Sequence, residues 1–284
     1  MQLVSAVAKS AIFPQNRVHR MKKIISILLL TVFFCSCSSY QKAIKSEDVA
    51  VKYAEAEKQY NAGKYSKAIR LFEQLATTYR GKPQAEKMFY MFAQSYYKTE
   101  QYYLAGYQFE SFASSYPKSE KLEEASFLSA KSYSMLSPVY SIDQTDTEKA
   151  ISKLQAFIDR FPESQYFAEA NTLVKSMREK VEKKAFEIAK GYNVTSDHKS
   201  ALVALDNFIA DYPGTPYKEA ALFYKLDSAY KLAINSIQSR MEERLQVAKS
   251  SYSGLIRFSP ETTYKKEADE MLAKIENDLK QFSK

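Results

Sequence analysis

Five stretches settle the fold: LFEQLATTYRGKP at 71–83, FESFASSYPKS at 109–119, LQAFIDRFPES at 154–164, LDNFIADYPGT at 205–215 and YSGLIRFSPET at 252–262. Each is an apolar run that closes on an aromatic or turn residue and then usually on Pro and Ser or Thr. Proline cannot continue a helix, it pushes its predecessor out of the α region, and a following Ser or Thr is suited to cap the next helix. Each motif therefore marks a hinge between two helices. The markers Pro83, Pro117, Pro162, Pro213 and Pro260 lie 34, 45, 51 and 47 residues apart, a tandem repeat of uneven length.

Ahead of the first motif stand Tyr53-Ala-Glu-Ala-Glu-Lys-Gln-Tyr60, Gly63-Lys-Tyr65 and Ala68-Ile69-Arg70-Leu71-Phe72. Ala68 is small where two helices cross, Phe72 fills the space between them, Tyr65 packs at the turn and Gly63 frees the backbone there. The second repeat restates this with Tyr96, Tyr102, Ala105 and Phe109. The pattern resembles a tetratricopeptide repeat, whose 34-residue period the first spacing equals.

Gly and Pro are scarce, at 6 and 8 in 284 residues, and no period-two alternation is long enough for a sheet. The predicted fold is all-α: a tetratricopeptide-like helical-hairpin solenoid of about five repeats with a C-terminal capping helix. The predicted helices are 47–62, 65–80, 84–98, 101–116, 119–136, 147–161, 164–192, 197–212, 216–238, 240–258 and 263–282. Residues 137–146 are the longest interruption, a length that serves either as a contact surface or as a spacer. Repeats 1–2 span 47–117, repeats 3–5 span 118–260, and the Lys- and Glu-rich segment 261–284 is the polar cap.

The amino terminus reads as a targeting segment. Met21-Lys22-Lys23 is a short basic start, Ile24 to Phe34 is apolar, and Ser36-Cys37 places a small residue before a cysteine. A largely apolar run of eleven residues falls short of the roughly 20 that a membrane-spanning helix needs. The segment 21–36 is thus a signal peptide, and its end resembles the lipobox of bacterial lipoproteins, with Cys37 as the lipidated residue. Phe34 and Cys35 stand where that motif usually has Leu and a small residue. Residues 1–20 lie upstream of a complete signal and read as a non-native extension, and 37–46 as a lipidated tether.

Residues 1–36 carry Lys9, Arg17, Arg20, Lys22 and Lys23 and no acids, so their removal lowers the formal charge from +8 to +3. That charge is too mild and too mixed to point to nucleic acid. Only His198 and Cys37 then remain of their kinds, which leaves no His/Cys zinc set; Ser-His-Asp or Cys-His catalysis would have to be built on His198, which reads as an exposed residue of a helix-connecting loop. Carboxylates such as Glu120, Glu123 and Glu124 alternate with lysines as on a solvated helix face, and no glycine-rich phosphate loop occurs. The sequence names no catalytic residue, cofactor or metal.

Aromatic residues are abundant, with 22 Tyr and 17 Phe but no Trp. In the run around Met88–Tyr97, Phe89, Phe92 and Tyr96 share one helical stripe while Tyr90 and Tyr97 share its neighbour. One stripe suffices for packing. Tyr53, Tyr60, Tyr90 and Tyr97 are therefore the candidates for a groove that receives extended peptides, or else four further packing residues.

Beyond the repeat and the lipobox, three stretches resemble the BamD lipoproteins: Asp143-Gln144-Thr145 before Lys149-Ala150, Arg160-Phe-Pro-Glu-Ser-Gln-Tyr166, and Tyr212-Pro-Gly-Thr215. The likeness covers most of 47–235 and weakens after 236. It implies a scaffold of the outer-membrane β-barrel assembly machinery, lipid-anchored and periplasm-facing. Its implied partners are a BamA-like barrel subunit and unfolded barrel precursors. The competing readings are a repeat lipoprotein of another envelope complex and, on a helical scaffold, a carboxylate-dependent glycan hydrolase. A solute-binding lipoprotein would need a two-lobed α/β body, for which no βαβ pattern is visible.

Overall fold

The computed structural model describes residues 38–282, which form twelve α-helices and a final 3₁₀ turn with no strand among them. The signal 21–36, the extension 1–20 and Cys37 lie outside the described residues. The helices divide into two units, one ending at Glu100 and the other starting at Gln101. That boundary falls inside the segment 47–117 that the sequence reading gives to repeats 1–2.

Unit 1 holds α1 (Ser38–Lys45), α2 (Val49–Asn61), α3 (Tyr65–Leu75) and α4 (Ala85–Lys98). The α3 sequence puts Ala68, Ile69, Leu71, Phe72 and Leu75 on one stripe, and all five are buried. Phe72 meets Phe92 of α4 with ring centroids 5.8 Å apart. A correction concerns residues 37–46. Where a tether was expected, Ser38–Lys45 form α1, which packs on α2 and α3 and buries Tyr40 and Ala43.

Unit 2 holds α5 (Tyr102–Ser115), α6 (Leu122–Ser134), α7 (Thr145–Arg160), α8 (Phe167–Val194), α9 (His198–Asp211), α10 (Lys218–Ile234), α11 (Gln238–Phe258) and α12 (Lys265–Leu279). Its longest helix, α8, runs for 28 residues and serves two cores. Ala170 and Val174 pack with Phe127, Leu154 and Phe157 of α6 and α7. Phe186 and Ala189, a few turns on, pack with Ala201, Leu205 and Phe208 of α9. A third core joins α10, α11 and α12 through Leu226, Leu245, Leu255, Ala268 and Ile275.

The proline motifs build the same joint repeatedly. Ser164 Oγ accepts the Tyr166 N–H at 3.0 Å, Thr215 Oγ1 the Tyr217 N–H at 3.3 Å and Thr262 Oγ1 the Tyr264 N–H at 3.2 Å. The hydroxyl thus closes a turn ahead of the helix and does not cap the helix itself, which corrects the sequence expectation. Each such tyrosine then lies nearly parallel on an earlier phenylalanine. Tyr166 stacks on Phe127 at 4.5 Å, Tyr217 on Phe186 at 5.4 Å and Tyr264 on Phe223 at 4.2 Å. The motif therefore ends one helix, turns the chain and supplies a ring to the preceding core.

Candidate protein-binding surface

The four candidate tyrosines sit on two helices of unit 1. Tyr53, Glu57 and Tyr60 follow the four- and three-residue spacing that shares one face of α2, and Lys87, Tyr90, Gln94 and Tyr97 do the same on α4. The two helices touch, and Lys87 pairs with Glu57 across them. The ion pair brings the two stripes side by side.

All four rings are half-buried. Tyr53 stacks on Tyr79 at 5.1 Å with the rings 10° from parallel, and Tyr60 meets Tyr65 edge-on at 5.6 Å. Gln94 Nε2 donates to the Tyr90 hydroxyl at 2.9 Å. Each ring thus offers part of its area to solvent while the rest is held. Burial pushes the Tyr53 and Tyr79 phenols up from their ordinary values, with the nearby Glu57 carboxylate adding to the shift. Tyr79, Tyr65 and the Lys87–Glu57 pair were not singled out from the sequence. The only signal for the ion pair was charge type, since its partners lie 30 residues apart.

The neighbouring stripe of α4 is core. Phe92 and Tyr96 are buried with Met88 and Met91, whereas Phe89 is only half-buried. Tyr96 donates its hydroxyl to Glu73 Oε1 at 2.9 Å, and burial first, then that bond, holds its phenol far above the ordinary range.

Unit 2 presents a different surface. Three of its turns follow α6, α8 and α10. These turns expose Met135, Val139, Ile142, Val194, Ile234 and Ile237, with Val194 at 68% and Ile237 at 69% exposure. The 135–144 turn is fastened to α8 by Lys180, which donates to Ser137 Oγ at 2.6 Å, and by Lys184, which donates to the Ile142 carbonyl at 2.7 Å. Burial holds the Lys180 ammonium below its ordinary value.

His198 opens α9 and is half-buried, with Nδ1 shielded from solvent and unbonded. The residue before it, Asp197, accepts the Ser200 N–H at 3.1 Å as the helix cap. Among the described residues no group of three or more His, Cys, Asp or Glu is placed to hold a metal ion. Among them, too, no helix is long and apolar enough to cross a membrane.

A family model described as YfiO, outer membrane lipoprotein, matches residues 45–196 and 180–282. The chain belongs to that family. Two solved structures of a kinesin light chain of Podosopora anserina with nearly identical TPR-like repeats, one of them a point variant, are each 13% identical to it. They align with 76% and 74% of this chain and 98% of their own, each with a TM-score of 0.31. No curated protein matches. The YfiO matches overlap between 180 and 196, over the second half of α8 and the two residues after it.

Proposed function

We propose that the chain is a non-catalytic scaffold of the machinery that assembles β-barrel proteins in the outer membrane. On this reading the signal 21–36 is removed, Cys37 carries the acyl chains and the body faces the periplasm. Unit 1 receives extended segments of unfolded barrel precursors across Tyr53, Tyr60, Tyr90 and Tyr97. Half-exposed rings on fixed helices suit that task, because they bury apolar area against a peptide at little cost in side-chain freedom. Unit 2 docks on a BamA-like barrel subunit, and the apolar residues at its turns, Val139, Ile142, Val194, Ile234 and Ile237, are groups that such a contact would cover.

The observation that carries this reading is the outer membrane lipoprotein match running through both units, from residue 45 to 282. Affinity purification from detergent-solubilised envelopes tests it. Co-purification of a large β-barrel protein with periplasmic repeat domains is expected, and a different envelope complex in its place would refute the assignment. Replacing Tyr90 and Tyr97 together by Ala is expected to weaken binding of a barrel-precursor peptide about tenfold or more with an unchanged melting temperature. A large drop in melting temperature would make the two rings core residues instead.

A further inference from the structure

The end of unit 1 from which α1 starts has a character that the scaffold role leaves unused. Cys37 is bonded directly to Ser38, the first residue of α1, so no slack separates the cysteine from a packed helix. Ser39 Oγ donates to Glu55 Oε1 at 3.3 Å and accepts from Lys58 Nζ at 3.4 Å. Lys67 Nζ lies 5.2 Å from the centre of the Tyr40 ring. The start of α1 is therefore held beside the turn between α2 and α3.

That turn is basic. Lys64 and Lys67, with Gly63, Tyr65 and Ser66, line an open groove of about 410 Å³ whose other wall is Lys98 and Thr99 at the end of α4. Lys58, Lys64, Lys67 and Lys98 are all exposed. Among the described residues, neither Lys64, Lys67 nor Lys98 forms an ion pair, whereas eleven other lysines do. Glu55, the carboxylate that Ser39 bonds, is buried, bonded to Gln59 at 2.6 Å and paired with Lys58 at 3.5 Å. Glu100, two residues past Lys98, is the exposed acid next to this end in sequence. Tyr65 adds a half-buried ring, the kind of side chain that settles at a membrane–water boundary.

We propose that this lysine edge docks on the anionic phospholipid headgroups of the leaflet that holds the acyl chains. The proposal rests on Cys37 being the lipid anchor. Because α1 begins at the next residue, the anchor brings the edge within reach of the headgroups, and positive charge is what such a surface attracts. Each lysine near an anionic bilayer raises binding about fivefold, an effect that fades within a Debye length and with added salt. Lipid and lysines together form the two-part attachment that a firmly seated peripheral protein uses. The edge also carries the Tyr60 and Tyr97 ends of the aromatic stripes, so docking would set that face at a fixed height above the membrane.

The test uses the full lipidated protein, purified from envelopes and reconstituted into phosphatidylcholine vesicles with or without phosphatidylglycerol. Flotation reports the anchor, and reaction of individual lysines with an acetylating reagent, read by peptide mass spectrometry, reports the edge. With phosphatidylglycerol and low salt, Lys64, Lys67 and Lys98 are expected to react about fivefold more slowly than in neutral vesicles, with the difference lost in high salt. The exposed Lys82, past the opposite end of α3 within the same unit, serves as the reference. Equal rates in both vesicles would overturn the proposal. Failure to float with neutral vesicles would instead sink the anchor reading. The edge would then be judged by flotation with phosphatidylglycerol vesicles, which K64Q, K67Q and K98Q together should weaken on the order of a hundredfold. No loss in that triple variant would rule the edge out.

Discussion

Gln144 shows how one side chain can hold a long turn. Its amide nitrogen donates to the carbonyls of Val139 at 2.9 Å, Ile142 at 3.0 Å and Asp143 at 3.3 Å, and its oxygen accepts the Thr147 hydroxyl at 2.8 Å. At 5% exposure these groups have little access to water. Gln144→Leu keeps the bulk and removes every partner, so it is expected to destabilise unit 2 by about 2 kcal/mol. Faster amide exchange through 139–143 and a lower melting temperature would bear this out, while an unchanged melt would show that water replaces the amide. The sequence marked Asp143-Gln144-Thr145 and left the loop as contact surface or spacer. A polar residue in a loop gives no sign of burial, because the burial arises only when the chain folds back over its own carbonyls.

At the scale of the helix, three helix ends repeat one geometry. After α2, α4 and α8 the chain passes through one capping residue and then a left-handed one: Gly63 at φ 70°, Glu100 at φ 59° and Ser196 at φ 64°. The N–H of Lys64 reaches the Gln59 carbonyl and that of Asp197 the Tyr192 carbonyl, each at 2.9 Å, closing the same six-residue ring. Only the first turn uses glycine, which adopts this conformation without strain. Ser196 is exposed, so Ser196→Gly relieves its backbone and is expected to stabilise the protein by about 1 kcal/mol. Denaturant midpoints of the two forms would decide it, and a lower midpoint for the glycine form would contradict the argument.

The helices themselves were readable, because proline motifs and three- and four-residue spacing record local constraints. The predicted helix 164–192 is found at Phe167–Val194, and 101–116 at Tyr102–Ser115. The predicted 65–80 ends early, at Leu75, where turns take over and Thr78 Oγ1 bonds the Leu75 carbonyl at 3.1 Å. Helix α1 was missed altogether. Eight residues are too few to signal a helix alone, and Tyr40 and Ala43 are buried only through contacts with α2 and α3. The tyrosine stripes were visible as a period on each helix, but not the Lys87–Glu57 pair that joins them.

Across the whole molecule, titrating groups set a stability window with two different edges. Hydrogen bonds hold four carboxylates below their ordinary values: Thr145 acts on Asp143, Ser200 on Asp197, Thr262 on Glu219 and Lys265 on Asp269. A carboxylate depressed in the folded state stabilises it above the unfolded value, and that contribution disappears as pH falls through the folded one. The acid edge therefore lies below about pH 4. The alkaline edge comes chiefly from tyrosines. Burial pushes up the phenols of Tyr53, Tyr79, Tyr133, Tyr166, Tyr212, Tyr217, Tyr230 and Tyr264, and the phenol of Tyr96 most of all. Groups raised in the fold contribute fully below their unfolded values and lose that contribution as pH climbs through the folded ones. Lys87, Lys121 and Lys265, raised by hydrogen bonds to Glu57, Glu124 and Asp269, act in the same direction. Lys180 opposes them, since a buried ammonium costs stability at neutral pH and the cost eases on deprotonation. One lysine against so many phenols cannot reverse the sign. Melting temperatures are therefore expected to stay level from about pH 5 to about pH 9 and to fall beyond about pH 10 as tyrosinate absorbance appears. Tyrosinate that forms at about pH 10 with no change in melting would mean that the rings joining the repeats are open to solvent, and with them the stacked joints described above would fail.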